Sequence, residues 1–143
     1  MTEWWEAVLP FCRPGSRTVL CDPQGNSLVI ELARRGYRLL ILHDGSFDIA
    51  GLRQKLRELS LSSQLMGSHI YREESSFGLV VDFYELWIFG AVPTSFTLAM
   101  KALKTGAPIY WQASLWDDCE ALPDGSTPIS GLPEGLLGVF NRS

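Results

Sequence analysis

The sequence predicts a single three-layer α/β/α domain with a mostly parallel sheet spanning residues 1–143. Three observations carry this. The 143 residues are 46% hydrophobic and 20% charged, the balance of a packed globular chain rather than a disordered one, and the length of one ordinary domain burying roughly 70% of its extended surface. Near-continuous apolar runs, expected of strands covered on both faces, alternate with stretches of helical periodicity. One strand, loop, helix and strand also close within about 30 residues, the size of a βαβ unit.

Taken in order, Thr2 can cap a short helix running to about Phe11, with Trp4, Trp5, Val8 and Leu9 as its apolar surface. Arg13-Pro14-Gly15-Ser16 is a turn signal, and Thr18 to Cys21 reads as a buried strand ending at Asp22-Pro23-Gln24-Gly25-Asn26. A helix beginning near Ser27 carries Leu28, Ile30, Leu32 and Ala33 and stops at Gly36, which can adopt the left-handed C-terminal cap. Tyr37 to Leu42 is the second strand. Asp48 caps the clearest amphipathic helix, with Ile49, Leu52, Leu56 and Leu59 on one stripe and Arg53, Lys55, Arg57 and Glu58 outward. Leu65 to Tyr71 reads as a third strand interrupted by Gly67. Phe77 to Val81 reads as the fourth, with the apolar run continuing from Phe83 to Ile88. Thr94 or Ser95 then caps a helix ending at Gly106, and Pro108 to Ala113 returns as a strand. The core covers about residues 8–113. Residues 114–143 form an irregular C-terminal segment, a loop from Trp116 to Gly135 and a final strand at Leu136 to Phe140.

The totals also exclude function classes. A net charge of −4, with 12 basic residues scattered along the chain, offers no row of cations for a phosphate backbone, so no nucleic-acid partner is expected. Cys12, Cys21 and Cys119 are odd in number and far apart, giving neither a disulfide framework nor a zinc pattern and suiting a reducing, cytoplasmic setting. No apolar run is long enough to span a bilayer. His43 and His69 are isolated in sequence and read as strand-end histidines; no metal is expected. Trp4 and Trp5 cannot both face inward from one helix, so a homodimer or protein partner docking on a Trp-rich surface is expected.

Three segments resemble class I S-adenosylmethionine-dependent methyltransferases, a Rossmann-like family. Arg13-Pro14-Gly15-Ser16-Arg17-Thr18-Val19-Leu20 is similar to the lead into that family's first strand, and Glu31-Leu32-Ala33-Arg34-Arg35-Gly36-Tyr37 to the end of its first helix. Ser76-Phe77-Gly78-Leu79-Val80-Val81 and Lys101-Ala102-Leu103-Lys104-Thr105-Gly106-Ala107 resemble the fourth strand and the turn after the following helix. The departure is the cofactor loop. An ungapped match puts Asp22, Gln24 and Asn26 where three glycines belong and Leu20 where an acid belongs; a shift of about one residue makes Asp22 the acid and Gly25 one of the glycines. The segment after Ala113 is also shorter than the antiparallel end with which the family continues.

The resemblance implies S-adenosylmethionine as cofactor, with Asp22, Gly25 and Asn26 along its methionine portion. Asp44, nineteen residues after Gly25, would take the ribose hydroxyls, near the roughly 20-residue interval of nucleotide-binding βαβ units; it reads equally well as a turn aspartate before Gly45. Glu73 stands where the family offers an acid to the adenine, or is surface charge. Asp82 is a cofactor or catalytic candidate after the predicted fourth strand, or a cap, and Tyr84 is a second catalytic candidate. Two functions follow. One is a divergent, non-catalytic methyltransferase-like interaction or regulatory module; the other is a small methyltransferase acting on a small molecule or protein.

Overall fold

The computed structural model describes residues 17–23, 25–70, 85–88, 108–112 and 126–141, together with Glu6, Pro10 and Gly15. Among the described residues, seven strands form one sheet: β1 (Arg17–Cys21), β2 (Arg38–His43), β3 (Leu65–Ile70), β4 (Glu85–Ile88), β5 (Pro108–Gln112), β6 (Ser126–Pro128) and β7 (Leu136–Asn141). Their spatial order is β3-β2-β1-β4-β5-β7-β6. The first five run parallel, and β7 is antiparallel to both β5 and β6. The helices among the described residues are α1 (Asn26–Arg34), α2 (Ile49–Glu58) and a 3₁₀ turn at Ser62–Gln64.

The apolar runs do what continuous hydrophobicity requires, since both faces of the central strands are closed to solvent. Leu20 of β1, Leu39 and Ile41 of β2, Leu65 of β3, Tyr110 of β5 and Leu136 of β7 pack in one cluster with Val29, Leu32 and Ala33 of α1 and Leu52 and Leu56 of α2. Their alternates, Val19, Cys21, Leu40, Leu42, Ile109, Trp111 and Val139, are buried as well. Helix α1 ends where Gly36 was expected to stop it, at φ 88°. Gly36 N–H donates to Ala33 O and Tyr37 N–H to Leu32 O, both 3.1 Å, so the last carbonyls are satisfied and the chain turns directly into β2. At the start of α2, Asp48 accepts from the Gly51 amide at 3.0 Å; Asp48→Ala should lower stability by about 1 kcal/mol in denaturant unfolding.

Thr18 is a local inconsistency in this core. Its Oγ1 is buried with no hydrogen-bond partner among the described residues, and an unsatisfied buried hydroxyl costs about 1–3 kcal/mol. Thr18→Val keeps the shape, so it should stabilise the domain by about 1 kcal/mol and raise the unfolding midpoint by roughly 3 °C.

Three expectations need correction. The strand hydrogen-bonded between β1 and β5 is Glu85–Ile88, later in the chain than the predicted fourth strand at Phe77 to Val81, which lies outside the described residues. Two adjacent apolar runs competed for that place, and periodicity cannot rank them. Leu59 does not complete the α2 stripe: it follows the helix and is 40% exposed. The stretch from Trp116 to Gly135 is not all loop, because Ser126–Pro128 pairs with β7. Two polar residues and a proline carry little strand signal, although proline suits an edge strand that owes no donor to a neighbour. The C-terminal segment is therefore an antiparallel extension of the sheet.

Gly67 does not stop β3 but coincides with an irregularity. Leu39 pairs with Leu65 and Leu40 with Gly67, leaving Met66 as the extra residue of a bulge, 44% exposed. The predicted N-terminal helix and the helix ending at Gly106 lie outside the described residues.

Candidate functional site

In an open parallel sheet, ligands bind beyond the carboxyl ends of the strands, where the strand order reverses. Here the reversal falls at β1, flanked by β2 and β4. The register aligns the ends: Cys21 pairs with both Leu42 and Ile88, and His43 with Ile70. The described segments leaving this edge are therefore the loop from Asp22 to Gly25 and the turn from Asp44 to Phe47.

The first loop has two positive-φ residues. Asp22 sits at φ 54°, in the left-handed region that aspartate tolerates better than most residues, and its N–H donates to Leu42 O at 2.8 Å, tying the loop to β2. Its side chain is half-buried, with the Cys21 Sγ 3.9 Å from Oδ2. Gly25 sits at φ 150°, ψ −176°, a conformation essentially restricted to glycine. A Cβ built there would meet nothing within 4 Å, so the glycine is required by its backbone and faces open space. As N-cap of α1, Gly25 contributes no side-chain acceptor, which leaves first-turn amides of the helix without a side-chain cap. Asn26 opens α1 half-buried and, with Ser27, Ile30, Lys55 and Leu59, lines an open groove of about 480 Å³ between α1 and α2.

The second turn is built by side chains. Asp44 Oδ1 accepts from the Ser46 amide at 2.9 Å and the Ser46 hydroxyl at 2.6 Å, an Asx turn. These two bonds, the hydroxyl's foremost, hold the Asp44 carboxyl below the usual carboxylate range. Asp44 is exposed, and its Oδ2 makes no hydrogen bond with the described residues. Just behind it, His43 is 5% exposed, its ring centroid 6.0 Å from that of Phe47. The Gly45 amide donates to His43 Nδ1 at 3.1 Å, which fixes the neutral tautomer protonated at Nε2. Burial lowers the His43 pKa from its ordinary 6.5, and the Asp44 charge offsets part of that.

Solved structures match this architecture. An RNA methyltransferase from Salinibacter ruber, in complex with S-adenosyl-L-homocysteine, is 12% identical, matches 96% of this chain and 89% of its own, and superposes with a TM-score of 0.62. A methyltransferase from Geobacter sulfurreducens is 12% identical over 100% of this chain and 81% of its own, at a TM-score of 0.65. The chain has the class I methyltransferase fold. MtNAS, in complex with MTA and tNA, shares it at 19% identity and a TM-score of 0.60, over 96% of this chain and 58% of its own. No family model and no curated protein matches the sequence.

Against the methyltransferase fold, the sequence-predicted residues fall into three groups. Asp22, Gly25 and Asp44 follow the carboxyl ends of β1 and β2. The two readings of Asp44 are compatible, since one carboxylate oxygen makes the turn while the other has no hydrogen bond among the described residues. Asn26 belongs to the inter-helix groove. Glu73, Asp82 and Tyr84 lie outside the described residues, and β4 begins at Glu85, after all three in the chain. His43 is the strand-end histidine the sequence suggested, buried at the end of β2, whereas Ser46 was passed over. The signal for Ser46 was present as Asp44-Gly45-Ser46, an Asx-turn spelling, whereas nothing in the sequence shows His43 accepting from the backbone two residues on.

Among the described residues there is no cluster of three or more potential metal ligands, and no helix is long and apolar enough to cross a membrane.

Proposed function

We propose that the chain is a methyltransferase-fold domain that binds S-adenosylmethionine, or its product S-adenosylhomocysteine, at the carboxyl edge of β1 and β2. The observation that carries this is the pairing of Asp44 Oδ2, a carboxylate oxygen without a hydrogen bond among the described residues, with the open space at Gly25. A ribose diol needs a charged acceptor, and the remainder of the cofactor needs close approach to backbone; the residues present fit both needs. Asp44 would hold the ribose. The loop from Asp22 to Gly25 would line the methionine portion, with uncapped amides of α1 as donors. S-adenosylmethionine supplies an electrophilic methyl group, and the protein's share of such a transfer is chiefly alignment of the nucleophile.

The alternative is an interaction module that kept the fold without methyl transfer. Asp22 favours it: a half-buried carboxylate occupies the first glycine's place in the ungapped match and adopts glycine-like φ there.

Thermal unfolding with and without S-adenosylhomocysteine tests the cofactor reading. Ligand at about 100 times its dissociation constant adds roughly 2.7 kcal/mol, a rise of several degrees in the midpoint for a domain of this size. An unchanged midpoint at saturating concentrations would leave the interaction module as the account of this fold.

A further inference from the structure

The turn that presents Asp44 is held from two sides. Ser46 grips Oδ1 of Asp44 from ahead, and His43 Nδ1 grips the Gly45 amide from behind at 3.1 Å. Between them, Gly45 adopts φ 106°, so the turn depends on these bonds and on its glycine. The His43 bond exists in one protonation state. A backbone N–H can donate to Nδ1 when that nitrogen carries a lone pair; a protonated ring presents an N–H there instead, turning attraction into repulsion between two donors.

We propose that His43 is a positioning residue for Asp44: its unprotonated Nδ1 holds the Gly45 amide and keeps the carboxylate turned to the ligand edge, and protonation of the ring releases the turn and with it the ligand. The ligand half of this inference rests on the cofactor reading above. Burial of the ring, which sits beside Phe47, lowers its pKa and so favours the neutral form that accepts the Gly45 bond. The charged group acting on the ring is Asp44 itself; the adjoining elements carry Asp22 at the end of β1 and Asp48 at the N-cap of α2, while the β3 residue paired with His43 is the uncharged Ile70. The Asp44 carboxyl is itself held below its usual value of 3.8, chiefly by the Ser46 hydroxyl. The linkage has the matching sign. A histidine with a depressed folded pKa contributes stability that is complete above its ordinary value of 6.5 and is lost as pH falls through the folded value.

The test is a titration of the whole chain from about pH 7.5 downward, until the His43 ring has protonated or the chain unfolds, because a histidine with a lowered pKa changes charge below its ordinary range. Without ligand, NMR follows the His43 ring carbons and the hydrogen-exchange protection factor of the Gly45 amide; with ligand, calorimetry follows S-adenosylhomocysteine affinity. Gly45 protection should fall in step with His43 protonation, and affinity should fall about tenfold, the worth of one hydrogen bond of this kind. His43→Asn retains an acceptor oxygen near the Nδ1 position and does not titrate, so it should keep Gly45 protected and flatten the affinity profile. Gly45 protection independent of His43 protonation, or the same pH profile in His43→Asn as in the wild type, would overturn the proposal. Absence of ligand binding at every pH would remove the cofactor reading alone, because the ligand-free Gly45 measurement on the wild-type chain still decides the role of His43.

Discussion

Asp44→Ala is expected to weaken S-adenosylhomocysteine binding roughly tenfold to a hundredfold, the range for losing hydrogen bonds to a charged acceptor. The side chain is exposed and at the edge of the sheet, outside the packed cluster of β1, β2, α1 and α2, so the thermal midpoint without ligand should move little. Alanine also removes the Asx turn with Ser46, and a second substitution separates the two effects. Asp44→Asn keeps an oxygen for the Ser46 amide and hydroxyl while discarding the charge, so its turn should persist and its affinity should still fall. Calorimetry on both variants checks this; wild-type affinity in Asp44→Ala would refute the ribose assignment.

Gly25→Ala should act on the fold and the site together. The backbone there, φ 150° and ψ −176°, is closed to residues with a Cβ, although no neighbouring atom would touch that carbon. The cost is thus conformational rather than steric crowding, about 1–3 kcal/mol for holding a residue in such a region. The loop can relieve it by rotating Gly25, which shifts the start of α1 and the line of its uncapped amides. Denaturant unfolding should show the loss of stability, and ligand binding should drop with it. A contrast is available at Gly138, where a Cβ would lie 2.9 Å from the Tyr110 ring and 3.2 Å from Ile109 O; there glycine is needed for space between β7 and β5, at ordinary backbone angles.

Where physics is local, the sequence was legible. The Gly36 stop, the Asp48 cap and the buried runs of β1 and β2 follow from residues within one turn or strand of each other, and the structure has them within a residue of the expected bounds. The parallel order of the first strands followed from the strand and helix alternation. What did not follow was any choice set by distant partners. Which of two neighbouring apolar runs pairs with β1 is decided by the sheet, and β6 exists because β7 offers an edge to a segment with little strand propensity of its own. At the site, the nineteen-residue interval pointed to Asp44, but the division of labour between its two oxygens and the role of His43 appear once the turn is folded.

The central claim is that a ligand of the S-adenosylmethionine class binds at the carboxyl edge of β1 and β2. Backbone amide shift mapping with S-adenosylhomocysteine tests it most directly, because it reports place as well as affinity. The account predicts perturbations concentrated at Asp22, Gly25 and His43 to Ser46, shifted to roughly tenfold to a hundredfold higher ligand concentration in Asp44→Ala. Perturbations confined to the groove lined by Ile30, Lys55 and Leu59, or none at millimolar ligand, would contradict it.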